Sequence, residues 1–236
     1  MDFRFSVRTE DGRRLGVTAW RLGAPALMIA SAPLGGGLGL RRWVLNAEVQ
    51  ISYDRMDPAA HLAGLATAAG LDGPGVGLLT AVDVRELQRT HDGGVQVAAT
   101  VGLAQPVWAA AASEEESLDL EAGRCGASTG APDLAPLDIG TVNIVAWVPV
   151  RLSDAAMVNA VATATEAKTQ ALVEAGVDGT GTASDAVCVA CPPEGDAEAF
   201  GGPRSRCGAR LARAVHAAVA AGAAPGGSDT SGNGRC

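Results

Sequence analysis

The sequence predicts an α+β fold: a mostly antiparallel β-sheet covered by helices or, in its fuller form, two sheets sandwiched between helical layers as α/β/β/α. Three observations lead there. The opening third alternates strand-like runs with turns, and no helical period appears before residue 57. The two longest helical periods fall late, near residues 153–175 and 205–221, so helices and strands are largely segregated along the chain. Bulk is scarce, with aromatic residues at 3% against 31 glycines, so the layers must approach through small side chains.

Taken in order, DFRFSVRT, GRRLGVTAW and ALMIASAP read as strands, the last running into a cluster at Gly35, Gly36, Gly37 and Gly39. Residues 43–51 alternate. Trp43, Leu45, Ala47, Val49 and Ile51 share one face, while Asn46, Glu48 and Gln50 give the other a polar character. Asp57-Pro58 then opens a short helix that Gly70 closes, since Pro suits a first helical position and Gly a residue past the end. Residues 75–84 and 95–103 are strand-like and read as one antiparallel hairpin through His91-Asp92-Gly93-Gly94. Residues 111–138 are acidic and rich in Gly, Pro and Ser, which predicts a surface loop. Strand GTVNIVAWVPV, a helix from Ser153 to Ala175, strand DAVCVACP and helix SRCGARLARAVHAAVAAG follow. The expected organisation is a single domain over 1–221 with a disordered tail at 222–236.

Composition excludes several function classes. A net charge of -8, with 18 basic against 26 acidic residues, argues against nucleic acid, which needs clustered Lys and Arg. The N-terminal MDFRFSVRTEDGRR holds no apolar run of secretory type, so a cytoplasmic location is expected. The uncharged stretch from Gly93 to Ser113 contains Gln96, Gln105 and Pro106 and alternates with period 2, so it reads as strand rather than membrane span. Five cysteines at irregular spacing, Cys125, Cys188, Cys191, Cys207 and Cys236, predict reduced thiols. Cys188 and Cys191 form a lone CxxC with no second pair, and His61, His91 and His216 are scattered, so neither a metal site nor a cofactor is expected. The oligomeric state, a homo-oligomer included, is open.

Chemistry concentrates in three places. On the helix from Ser153, at about 100° per residue, Val158, Val161, Ala162, Thr165, Thr169, Leu172 and Val173 form one stripe. Asn159, Thr163, Glu166 and Gln170 border it, and Lys168 lies on the opposite border. Glu166 and Lys168 are charges that need partners or a ligand, or else face water. The loop Gly179-Thr180-Gly181-Thr182-Ala183-Ser184-Asp185 supplies hydroxyls and a carboxylate before a buried strand, and is either a ligand loop or an ordinary glycine turn. Asp185 beside Glu166 is an expected acid/base pair. APLGGGLG lacks both the P-loop and the dinucleotide spacing, so no nucleotide is indicated. Its amides could still cradle a carbonyl, as could Gly201 to Ser205. GASTG at 126–130 matches G-x-S-x-G without the strand-turn-helix context that motif requires.

The segments LNAEV, DPAAHL, GVGLLTAVDVR, GTVNIVA, NAVATATEAKTQAL, GTASDAVCVACP and FGGPRS occur in an order that resembles the adenosylcobinamide amidohydrolase family over most of residues 26–221. ATEAKTQAL followed by GTGTASDA is the most specific part. The resemblance implies hydrolysis of the amide joining a corrin ring to aminopropanol, giving adenosylcobyric acid and 1-aminopropan-2-ol in cobalamin salvage. The implied partner is a small-molecule corrinoid, as substrate rather than cofactor. It further implies that Asn46, Thr141, Asn143, Glu166, Lys168, Thr180, Thr182, Asp185 and Arg204 line the site, with Gly36 and Gly37 among the substrate-binding candidates. Glu166 or Asp185 is then the expected general base and Lys168 the electrostatic stabiliser. Two departures from the family pattern are the long acidic loop and Cys207, which stands where an aromatic residue is expected. Two rival readings stand beside this one: a corrinoid carrier without turnover, and an acyl-transfer enzyme with a Thr nucleophile.

Overall fold

The computed structural model describes residues 1–111 and 140–224. The expected acidic loop, its GASTG and nearly all of the expected tail therefore lie outside the described residues. What is described is one mixed sheet of eight strands in the order β4-β3-β2-β8-β7-β6-β5, with β1 paired to β2. The strands are β1 (Phe3–Glu10), β2 (Arg13–Ala30), β3 (Gly37–Glu48), β4 (Val76–Thr80), β5 (Gln88–Asp92), β6 (Val95–Gly102), β7 (Thr141–Trp147) and β8 (Ala186–Cys191). The helices are α1 (Pro58–Ala68), α2 (Asp154–Glu174) and α3 (Arg206–Ala223). The β3–β4 and β7–β8 pairs are parallel and the remaining pairs antiparallel.

A single sheet supplies both β-layers, because β2 is 18 residues long and belongs to each. Its first half pairs with β1 and β3, and its second half with β3 and β8, with a register shift between Arg21 and Ala26. A bulge there lets the strand bend and the sheet fold over on itself. The halves then face each other. Trp20 meets Trp147 edge-on at 6.0 Å, and Asn46 of β3 bonds Thr100 of β6 and Asn143 of β7. Alternation places Trp20, Met28, Val44, Leu78, Ala98, Val145 and Cys188 between the layers. Trp43, Leu45 and Ala47 point outward onto Leu62 and Ala66 of α1. Val97, Ile144, Val187 and Val189 point the other way, onto α2 and α3. The result is the α/β/β/α layering, built from one sheet folded over rather than from two separate sheets.

The helix ends follow their capping chemistry. Pro58 opens α1, and Gly70 beyond its last turn takes a positive φ of 64°. Ser153 and Ser205 cap α2 and α3, accepting from the backbone N–H of Ala156 and Gly208 at 3.2 and 3.0 Å.

Three local expectations are corrected. GRRLGVTAW and ALMIA are halves of β2 rather than two strands. The hairpin across Gly93-Gly94 joins β6 to β5, not to residues 75–84, of which Val76–Thr80 form β4 and pair in parallel with β3. The sequence QRTHD of β5 shows no apolar alternation because it is an edge strand with none of its residues fully buried. Lastly, α3 continues through Gly222 to Ala223, since Gly222 packs so closely on Val101 that a Cβ there would meet its side chain at 2.6 Å.

Candidate active site

A cavity of about 220 Å³ opens between the two β-layers where β3 and β4 end and β7 and β8 begin. Leu78, Ile51 and Ala186 make much of its wall apolar, and Gln50, Tyr53, Thr80, Thr141, Asn143 and Ser184 add polar groups. Alternation explains the set: Thr141 and Asn143 of β7 face the cavity, and Ser184 and Ala186 flank the residue that faces away. Asn143 is 2% exposed. Its Nδ2 donates to the Asn46 side-chain carbonyl at 2.9 Å and to the Leu79 carbonyl at 2.7 Å. The Asn46 Nδ2 donates in turn to Thr100 Oγ1 at 3.1 Å. These bonds fix the amide, and its Oδ1 is left buried with no partner among the described residues. A buried unpaired acceptor costs about 1–3 kcal/mol, and Asn143 is one of the residues that line the cavity. Nearby, the hydroxyls of Thr141 and Ser184 bond each other at 2.7 Å, and Ser184 also donates to the Gly140 carbonyl at 3.1 Å.

Behind the cavity, on the helix-facing side of β7 and β8, lies an ion pair. Asp185 accepts from the Val142 N–H at 2.9 Å, the Thr182 hydroxyl at 2.6 Å, the Thr182 N–H at 3.1 Å and the Lys168 ammonium. Each carboxylate oxygen therefore carries two donors, and neither has an in-plane lone pair left for substrate. The Asp185 and Lys168 side chains are 13% and 8% exposed. Gly181 lies directly over the pair, where a Cβ would collide with both charged groups. What the cluster does is clamp Val142 and the 182–185 turn, and so hold Thr141, Asn143 and Ser184 in place.

The sequence candidates divide by position. Thr141 and Asn143 line the cavity, Asn46 supports Asn143 without lining it, and Lys168, Thr182 and Asp185 lie behind the wall. Thr180 ties the loop to the segment after β6, donating from its hydroxyl to the Val107 carbonyl at 3.3 Å and accepting from the Ala109 N–H at 2.9 Å. Glu166 and Asp185 are not brought together: Glu166 is exposed in a groove between α2 and α3, with Pro203 and His216. About 200° of helix separates it from Lys168. Arg204 is exposed in the turn before α3, beside Pro203 of that same groove. Gly36 lies in the β2–β3 turn and Gly37 opens β3, and the turn's carbonyls at Gly35 and Gly36 accept from Arg41 at 3.2 and 3.5 Å. Cys207 is buried in the core under α3 and does not line the cavity. Cys188 and Cys191 lie on opposite faces of β8, as a spacing of three in a strand requires, so they cannot share a ligand.

Sequence reasoning missed Thr80, Gln50 and Tyr53. Tyr53 carried a signal, being the single tyrosine of a chain that is 3% aromatic. His61, set aside as scattered, is buried against it.

Comparison with known proteins agrees with the resemblance. The adenosylcobinamide amidohydrolase family model matches residues 3–229. A protein named adenosylcobinamide amidohydrolase from Halobacterium salinarum is 38% identical over 144 residues, 61% of this chain and 56% of that protein. One of the same name from Methanosarcina mazei is 30% identical over 176 residues, 75% of this chain and 73% of that protein. The match thus spans a little over half of the first relative's length and nearly three quarters of the second's. Because the family model covers almost all of the sequence, the chain belongs to the adenosylcobinamide amidohydrolase family.

Proposed function

We propose that the chain hydrolyses the amide linking the corrin ring of adenosylcobinamide to aminopropanol, releasing adenosylcobyric acid and 1-aminopropan-2-ol for cobalamin salvage. The observation that carries the reading to this site is the buried, unpartnered Oδ1 of Asn143 on the cavity wall. An acceptor held in that way suits the N–H of a secondary amide, which it orients while the Thr141 and Ser184 hydroxyls approach from the same wall. Size agrees with the division of the substrate. A cavity of about 220 Å³ suits an amide-bearing side arm and not a macrocycle. The ring then lies across the mouth, near the exposed Ile51. Asp185 and Lys168 act as positioning groups behind the wall. A cytoplasmic setting is part of the proposal, supported by the free thiols of Cys188, Cys191 and Cys207. The net charge of -8 supports a small-molecule partner over nucleic acid.

The test is anaerobic incubation with adenosylcobinamide, following both products by mass spectrometry. Catalytic release of both is expected, and Asn143→Leu is expected to lower kcat/KM by about 100-fold or more, the loss of a positioned polar contact plus its desolvated neighbours. Stoichiometric binding without free aminopropanol would replace the hydrolase reading with the carrier. Neither binding nor product would reject the substrate. Including Glu166→Gln and Asp185→Asn shows whether either carboxylate takes part.

A further inference from the structure

We infer that Tyr53 is a catalytic residue that carries protons at the cavity, with His61 and Glu10 as the positioning residues that make it one. The inference rests on the hydrolase reading and deepens it. Tyr53 is in the turn after β3 and lines the cavity. Its hydroxyl is 3.0 Å from Nδ1 of His61, and the two rings stack at 5.6 Å with an interplanar angle of 18°. His61, in the first turns of α1, is 7% exposed, and its Nε2 is 3.1 Å from Glu10 Oε1 of β1. Glu10 is itself held by Arg8, whose Nε and Nη2 lie 2.9 and 2.7 Å from Oε2. Burial pushes the Glu10 carboxyl up, but the hydrogen bonds and charges of Arg8 and His61 together outweigh it and hold the group below its ordinary range. Glu10 is thus an anion at neutral pH and can only accept, so the ring nitrogen facing it, Nε2, is the one that carries a proton. Nδ1 is then the acceptor for the Tyr53 O–H.

Carboxylate, imidazole and phenol form a directed chain that ends at the wall where the scissile amide is proposed to sit. The same logic orients the base in hydroxyl-activating triads. Here the third member is a phenol, which burial keeps protonated by raising it above its ordinary range. Other charged groups bear on the chain: Arg8 from β1, and Arg55 and Asp57 from the segment before α1, which pair with each other at 2.9 Å.

The step balances without a further reactant. A water oxygen bonds to the amide carbon as one water proton passes to the Tyr53 oxygen and the Tyr53 proton passes to Nδ1 of His61. The carbonyl π pair moves onto oxygen. When the C–O double bond re-forms, the C–N bond breaks and its electron pair stays on nitrogen. That nitrogen takes a proton from Tyr53, which is refilled from His61. Water and amide become acid and amine.

General acid–base residues contribute roughly 10²–10⁴-fold, so Tyr53→Phe, which removes one oxygen, should lower kcat by at least about 100-fold while KM changes by less than about threefold. His61→Ala should fall comparably and recover at least about tenfold on addition of imidazole, which can occupy the vacated space. Because the two residues act as one unit, Tyr53→Phe with His61→Ala should be no slower than the slower single variant. A Tyr53→Phe enzyme within threefold of wild type, or a double variant whose losses multiply, overturns the inference while leaving the hydrolase standing. A wild-type protein that releases no amine overturns the hydrolase reading, and the proton chain with it.

Discussion

Lys168 reaches the back of the cavity from α2, and its ammonium and the Asp185 carboxylate are almost wholly out of water. Taking two charges out of water is expensive, and only their mutual attraction together with full hydrogen bonding offsets it. Asp185 has that complement, with two donors on each oxygen. Removing one partner leaves the other charge buried and uncompensated. Lys168→Met is therefore expected to destabilise the protein by about 3–5 kcal/mol. Lys168→Met with Asp185→Asn should regain part of that, since no net charge remains and the amide oxygen still serves the Val142 N–H and the Thr182 hydroxyl, although its NH2 then faces the Thr182 N–H. Urea titration of the three proteins checks both statements, and equal losses in the single and double variants would refute the buried-charge account. At this scale the sequence was partly legible. Glu166 and Lys168 stood out as charges on an alanine-rich helix, but periodicity cannot say which of two charges about 200° apart faces inward. It could not show that a lysine and an aspartate 17 residues apart meet between the helix and the turn before β8.

Among the elements, α2 shows why the more hydrophobic side chain need not be the buried one. Its larger apolar residues suggest a core stripe through Val158 and Val173, yet these are 61% and 50% exposed. Ala156, Ala160, Ala164, Ala167 and Ala171 are buried instead, together with Met157 and Leu172. Alanines at spacings of three and four let α2 approach the sheet and α3 too closely for valine, and distance, not hydropathy, selects the face. Lys168 is carried inside by the same choice. Ala164→Val should therefore cost about 1–3 kcal/mol through overpacking, whereas Val158→Ser should stay within about 0.5 kcal/mol as a surface change. Denaturant midpoints of the two variants decide it, and the opposite ranking would restore the valine face as the core. The strands were more legible than the helix. The polar face of residues 43–51 is the face that meets the other half of the sheet and carries Asn46. Turn chemistry located Gly93-Gly94 correctly, but the partner strand β5 is polar and left no apolar pattern to read. Nor does any local feature of residues 13–30 reveal that one bent strand serves two layers.

For the molecule as a whole, the titrating groups set the pH range in which the layers hold together. Burial pushes the Glu10 carboxyl up, while Arg8 and His61 more than reverse it, so its folded value lies below the unfolded one. Its contribution is complete above the ordinary value of 4.5 and is lost as pH falls through the folded value. Asp83, beside Arg85, adds to the same limb. Cys188 does the reverse at the alkaline end. Sealed between the layers, its thiol is pushed by burial from 9.0 up to about 12. An unfolded chain releases that proton near pH 9 and the folded chain does not, so stability is complete below pH 9 and declines as pH rises toward 12. One such group contributes a slope of about 1.4 kcal/mol per pH unit in that window. Cys191 and Cys207, also raised by burial, steepen it. The urea midpoint should therefore be nearly flat from about pH 5 to about pH 8, fall on the acid side below the carboxylate range, and fall again above pH 9. Cys188→Ala separates this thiol from the others. It should lower the plateau modestly through the lost sulfur volume, yet make the alkaline decline shallower by about one proton's worth. If the alkaline slope of Cys188→Ala equals that of the wild type, Cys188 is not protected in the folded state. The space between the layers would then admit hydroxide, in conflict with a sheet closed on itself around Met28, Val145 and Cys188.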